Sequence, residues 1–93
     1  MKDYRFFKRN CFLIGKTELL IVLKELFEDN SLSFMRNVTL MAGEEPFELY
    51  SSEKDTYIER EQILSKLSDY LNTQIIHAYI LHEANEVYLI STN

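Results

Sequence analysis

The chain has little of the residues that build tight loops, bridges and phosphate cradles. Its 93 residues include two glycines, one proline, one cysteine and no tryptophan. A single cysteine excludes an intramolecular disulfide, on which small secreted domains usually depend. Two glycines leave no Gly-rich loop for a nucleotide phosphate. The composition therefore indicates an intracellular chain with short connections, and we expect it in the cytoplasm.

Long apolar runs are lacking as well. The N-terminal run from Cys11 to Ile14 ends at Gly15 and Lys16. A secretory signal needs about 7–15 apolar residues, and a membrane span needs about 20. We therefore expect neither a signal peptide nor a membrane segment.

Acidic residues are in excess, and the excess is local. The chain has 15 acids and 10 bases, a formal net charge of −5. From Glu44 to Glu61 there are seven acids and two bases, whereas the rest of the chain has eight of each. An acidic surface repels nucleic-acid phosphates and attracts basic proteins. We expect a protein partner with a basic surface, and no direct contact with nucleic acid or membrane.

Two segments show the periodicity of amphipathic helices. Thr17 is a suitable N-cap for an apolar stripe over residues 19–27. The residues Thr56–Glu59 fit a capping box before a second stripe over residues 63–71. Two asparagines able to take the left-handed conformation are expected to end these helices: Asn30 and Asn72.

Strand patterns occupy the remaining segments. The N-terminal one is rich in aromatic and β-branched residues, and predicts one edge strand or a hairpin. The next alternates, so that Phe34, Val38 and Leu40 share one face. Residues 43–46 contain the only proline and predict the turn that follows. The predicted strands are residues 4–14, 33–41, 47–50, 74–82 and 87–90.

These elements predict a single α+β domain over residues 1–93, in the order β-α-β-β-α-β-β. The economical arrangement is a mostly antiparallel sheet of five to six strands with both helices packed on one face. Its other face would remain open. The two helix-plus-hairpin units repeat the same order without residue identity beyond chance.

Residues capable of chemistry are few and dispersed. His77 and His82 are five apart in a predicted strand, so they point to opposite faces and do not share a metal. Cys11 has no histidine close to it in sequence, and a catalytic thiol needs such a base. The acids of the first hairpin lack the spacing of a calcium loop. We expect no catalytic residue, no metal or cofactor and no enzymatic activity.

Acids interleaved with aromatic rings favour a contact with another protein. Charges steer a partner towards the surface, and rings supply the area that binding buries. We interpret the chain as a small acidic binding module, such as an inhibitor or immunity-type protein that blocks a basic surface of a toxin or nucleic-acid enzyme. A solvated turn and helix start would give the same pattern. The predicted contact residues are Glu44, Glu45, Phe47, Glu48, Tyr50, Glu53, Asp55 and Glu59.

A structural or regulatory subunit is the alternative hypothesis. The open sheet face would then pair with a second copy or another chain through Tyr79, Tyr88 and the terminal strand over residues 87–90. A small enzyme is a third hypothesis, and it would require a pocket that holds Cys11, a histidine and a carboxylate together.

Overall fold

The structure is a computed structural model that describes residues 11–42, 47–81 and 83–92. Within these residues the chain forms six strands and two α-helices. Two short 3-10 helices, Glu28–Asn30 and Leu32–Phe34, connect the first α-helix to the second strand. In chain order the elements are β1 (Cys11–Gly15), α1 (Lys16–Leu26), β2 (Val38–Ala42), β3 (Phe47–Ser51), β4 (Thr56–Ile58), α2 (Arg60–Leu71), β5 (Ile75–Leu81) and β6 (Glu86–Ser91).

The strands form two antiparallel sheets of three strands each. The first sheet has the order β1-β6-β5 and the second the order β2-β3-β4. The α+β class is therefore confirmed, but a single sheet of five to six strands is not what forms. Periodicity identifies strands but not their partners. The hairpin of β5 and β6 pairs with β1 from the start of the described chain, whereas the hairpin of β2 and β3 continues directly into β4.

The chain consists of two β-α-β-β units that exchange their first strands. The unit β1-α1-β2-β3 provides β1 to the sheet of the second hairpin, and β4-α2-β5-β6 provides β4 to the sheet of the first. Buried residues recur at matching positions of the helices, the fourth and the eighth, and at the last position of β3 and β6. These matched pairs are Leu19 with Ile63, Leu23 with Leu67, and Ser51 with Ser91.

One hydrophobic core joins the two units. The helix α1 contacts β1, β2 and β6, and α2 contacts β3 and β5, so each helix packs on strands of both sheets. Leu23 and Leu67 are fully buried in a cluster that spans both units. Burying one such side chain stabilises a fold by about 1.5–3 kcal/mol. The Lys66 ammonium also lies 5.5 Å from the centre of the Phe27 ring, which links α2 to the end of α1.

The helix starts differ from the predicted ones. α1 begins at Lys16 after Gly15, without a side-chain cap from Thr17. The capping box at Thr56 is wrong because Thr56 pairs with β3 as part of β4. The capping box of α2 instead joins Glu59 and Gln62, and the Glu59 amide donates to Gln62 Oε1 at 3.3 Å.

The helix ends agree in part. Asn72 takes the left-handed conformation with φ of 57° and ends α2, as predicted. In the first unit Ser31 takes that conformation, with φ of 67°, and Asn30 belongs to a 3-10 helix. The predicted strand over residues 33–41 starts only at Val38, because Leu32 and Met35 turn into the core. Phe34 consequently does not share the buried face of Val38 and Leu40.

The second hairpin matches its prediction, with β5 and β6 over the expected residues. Three predicted features lie outside the described residues: the segment 4–10, the turn 43–46 and His82.

Candidate protein-binding surface

The second sheet presents one side to the core and the other to the outside. Phe47, Leu49 and Ser51 of β3 are buried, and the residues between them are directed outwards. Cross-strand pairing places neighbours beside these outward residues on β2 and β4. We call this outer side the tyrosine face; it comprises Thr39, Met41, Glu48, Tyr50 and Tyr57.

A pair of stacked tyrosines forms the centre of this face. Tyr50 and Tyr57 are directly opposite each other, with ring centres 4.8 Å apart and planes tilted by 35°. Tyr57 lies on the edge strand β4 and is 52% exposed. Aromatic pairs with offset or tilted rings attract each other by about 0.5–1.5 kcal/mol beyond their buried area. The pair is therefore a fixed apolar platform that still has an open ring surface.

A carboxylate lies close to the inner tyrosine. Asp55 lies in the turn between β3 and β4 with φ of 50°, a left-handed conformation that aspartate tolerates better than most residues. The Asp55 carboxylate is near enough to act on the Tyr50 hydroxyl. Desolvation raises the pKa of Tyr50, and the charge and hydrogen bond of Asp55 raise it further. Both effects favour the neutral form of the Tyr50 hydroxyl.

The fold brings together three of the predicted contact residues. Glu48, Tyr50 and Asp55 all lie on or beside the tyrosine face. Phe47 is on the opposite side of β3 and is only 3% exposed. Its ring is part of the core, because side chains alternate between the two faces of a strand. It therefore offers no surface to a partner.

Two of the other predicted acids belong to the described residues. Glu53 accepts a hydrogen bond from the Arg36 amide at 3.0 Å, which ties the β3–β4 turn to the segment before β2. Glu59 is exposed at the start of α2. Glu44 and Glu45 lie outside the described residues.

Sequence reasoning did not include Tyr57 or Met41 in the contact set. Tyr57 was assigned to a helix start, and a three-residue strand is too short to show a period of two. Met41 is directly opposite Glu48 and is 41% exposed. The alternation of residues 38–41 in the predicted strand is the signal that could have placed Met41 outwards.

The outer face of the first sheet is a second exposed surface. Leu13, Tyr88 and Tyr79 form one row across β1, β6 and β5, and Leu13 and Tyr79 are about half exposed. The terminal strand over residues 87–90 belongs to β6, the central strand of this sheet. It therefore offers side chains of the outer face, such as Tyr88, but no free strand edge. Its backbone groups already pair on both sides.

The candidate catalytic groups do not meet. Cys11 and His77 pair with Ile90 from opposite sides, so two strand spacings, about 10 Å, separate them. Burial raises the pKa of the Cys11 thiol, whereas a nucleophilic cysteine needs a lowered one. His77 Nδ1 is in contact with the Arg60 guanidinium at the start of α2. Among the described residues no three His, Cys, Asp or Glu side chains gather as metal ligands.

A groove of about 400 Å³ lies between α2 and the start of β5. Ser68 lines it, but its hydroxyl donates to the Leu64 carbonyl at 2.7 Å and accepts from the Ile75 amide at 2.8 Å. The Ser68 hydroxyl therefore connects helix to strand. In the part of the chain that the structure describes, no helix is long and apolar enough to cross a membrane.

Comparisons with protein-family models, with curated proteins and with solved structures gave no match to this chain. The function is therefore inferred from the residues of the surface themselves.

Proposed function

We propose that the protein is a small acidic binding module that recognises a basic protein surface through the tyrosine face. One observation supports this proposal above the others. Glu48 and Asp55 flank the Tyr50–Tyr57 pair on a side of the second sheet that neither α1 nor α2 covers. Rings of this kind anchor interfaces, and acids beside them attract and orient a basic partner.

In its most specific form the module is an inhibitor or immunity-type protein that occupies a basic groove of a toxin or nucleic-acid enzyme. The chain's size and its net charge of −5 support this form. Such a protein acts by covering a surface, so it needs neither a catalytic residue nor a cofactor. The single cysteine supports a cytoplasmic site of action.

Charge reversal tests the proposal. We would replace Glu48, Glu53 and Asp55 with lysine, and compare a control with lysine at Glu25, Glu28 and Asp29, which are exposed on the α1 side. Both variants gain the same charge. A basic partner, first isolated from host extract at low salt, should associate at least tenfold more slowly with the first variant only. Equal rates for the two variants would remove the tyrosine face from the proposal.

A second candidate function is a structural subunit that assembles through the outer face of the first sheet. The exposed row of Leu13 and Tyr79 favours it. Sedimentation at micromolar concentration should then show a dimer, and Leu13→Lys should dissociate it. A monomer at every concentration would leave only the first proposal.

A further inference from the structure

The strand β2 forms one edge of the second sheet. It pairs with β3, and no other described strand lies beside it. The Ser52 amide donates to the Asn37 carbonyl at 3.0 Å, which fixes the alternation of the antiparallel ladder. By that alternation Thr39 and Met41 direct their backbone groups to β3, and Val38 and Leu40 direct theirs away from it. Within the described part of the chain, the edge of β2 that faces away from β3 therefore offers backbone donors and acceptors in regular order.

This edge lacks the usual features that prevent another strand from pairing with it. Natural edge strands are protected by charged side chains, proline or a bulge. The sequence of β2 is Val-Thr-Leu-Met-Ala, which has no charge and no proline. Its pairing with β3 runs through five residue pairs without a register shift. The opposite edge of the sheet, β4, is only three residues long.

Exposed apolar side chains lie near both ends of this edge. Phe34 lies four residues before β2 and is 82% exposed, although its neighbours Leu32 and Met35 are buried. Met41 lies near the other end on the tyrosine face, directly opposite Glu48. A large exposed aromatic residue a few residues before an edge strand suits the docking of an extended segment, which uses main-chain pairing for affinity and side-chain contacts for specificity.

We propose that β2 accepts an extended segment of a partner protein as a fourth strand of the second sheet. Alternate side chains of that segment would lie on the tyrosine face beside Thr39 and Met41, within reach of Glu48. Charge complementarity requires these side chains to be lysine or arginine, and an apolar residue of the segment would pack on Phe34. The basic chemistry rests on the proposed function, whereas the main-chain pairing does not. A second copy of this acidic chain fits less well, because two tyrosine faces with like charge would become continuous.

The test uses a synthetic peptide, acetyl-(Lys-Val)₃-amide, and the same peptide with every backbone nitrogen methylated, so that it cannot donate to β2 in either strand direction. Both peptides carry the same charges and side chains, but the methylated one cannot complete the ladder. Titration of ¹⁵N-labelled full-length protein at low salt should show at least fivefold weaker binding of the methylated peptide. The unmethylated peptide should also slow hydrogen exchange of the Val38 and Leu40 amides, which point away from β3.

Substitutions at two positions, Phe34 and Thr39, test whether the peptide binds along the edge of β2. Phe34→Ala should weaken binding of the unmethylated peptide at least threefold, whereas Ile21→Ala, at an exposed apolar position of α1, should not change it. Thr39→Lys should weaken binding, and Thr39→Glu should strengthen it.

The alternative outcomes separate this inference from the proposed function. Equal binding of both peptides, with shifts at Glu48, Tyr50 and Tyr57, would overturn strand addition and leave the acidic surface in place. Protection of Val38 and Leu40 in the free protein, with a dimer in sedimentation, would overturn it in favour of self-pairing. Binding of neither peptide would count against both proposals.

Discussion

Replacement of Ser51 by alanine should stabilise this protein. Ser51 ends β3 and is 1% exposed, and its hydroxyl has no hydrogen-bond partner in the described structure. Its cross-strand neighbours are Val38, which has no polar side-chain atom, and Thr56. The Thr56 hydroxyl donates instead to the Lys54 carbonyl at 3.2 Å. The Ser51 hydroxyl is thus desolvated without compensation.

The magnitude follows from the cost of that desolvation. A buried hydroxyl without a partner costs about 1–3 kcal/mol. Alanine removes the hydroxyl and leaves almost all of the packing, while the preference of the two residues for a strand differs by less than about 1 kcal/mol. Ser51→Ala should therefore raise the free energy of unfolding by about 1 kcal/mol. For a chain of this length, that corresponds to a rise in Tm of about 4–8 °C.

Urea unfolding followed by circular dichroism measures the change. The midpoint should move to higher urea while the m-value stays constant, which identifies an effect on stability alone. Ser52→Ala is the matched control, because Ser52 is exposed and its hydroxyl is 3.4 Å from the Asn37 carbonyl. That variant should stay within about 0.5 kcal/mol of the parent. If Ser51→Ala lost 1 kcal/mol or more, the hydroxyl would have a partner in solution and the reasoning would be refuted.

Two further predictions concern the core and the tyrosine face. Leu23→Ala and Leu67→Ala should each lower the free energy of unfolding by about 2–5 kcal/mol. Both variants should unfold in a single transition, with the same midpoint by circular dichroism and by tyrosine fluorescence. Two separate transitions would show that the two units fold independently. Tyr50 should ionise above the ordinary tyrosine pKa of 10, because desolvation and Asp55 favour its neutral form. The stability that this shift contributes is complete below pH 10 and is lost as the pH rises through the folded-state pKa. Titration of the tyrosine ring carbons by NMR should show that Asp55→Asn lowers this pKa towards 10, and an unchanged value would show that Asp55 does not act on Tyr50.

Local patterns in the sequence predicted the helices well and their caps poorly. The apolar stripes that include Leu23 and Leu67 depend only on the residue spacing of a helix, so both helices could be recognised from the sequence alone. Caps depend on where the preceding segment ends. Thr56 has the chemistry of an N-cap, but its backbone pairs with β3, and this tertiary pairing moves the helix start to Arg60. A capping motif therefore cannot be assigned to a helix without knowing whether its residues belong to a preceding strand.

The two-sheet arrangement could not be predicted for a related reason. Antiparallel hairpins are visible in sequence because their strands are close together, but the third strand of each sheet comes from the other unit. Phe12 pairs with Leu89 near the other end of the chain, whereas Tyr50 pairs with Tyr57 across a short turn. β4 is adjacent to its partner in sequence, but its three residues are too few to show a period of two. Nothing in the alternation of β1 distinguishes β6 from any other partner. The third strand of each sheet could therefore be identified only from the structure.

The exchange of first strands also explains where the candidate surface arises. Each hairpin alone has two edges; the strand received from the other unit covers one of them. In the second sheet this strand is β4, which brings Tyr57 beside Tyr50 and places Asp55 in the connecting turn. The other edge, β2, stays uncovered in the described structure. The addition of β4 to this sheet thus completes the tyrosine face and leaves the edge of β2 open two strands away. One extended basic segment could contact both the tyrosine face and the edge of β2. A partner that bound only through charge would use the tyrosine face, and one that bound only through main-chain pairing would use the edge of β2. Their joint presence on one sheet favours a partner that uses both.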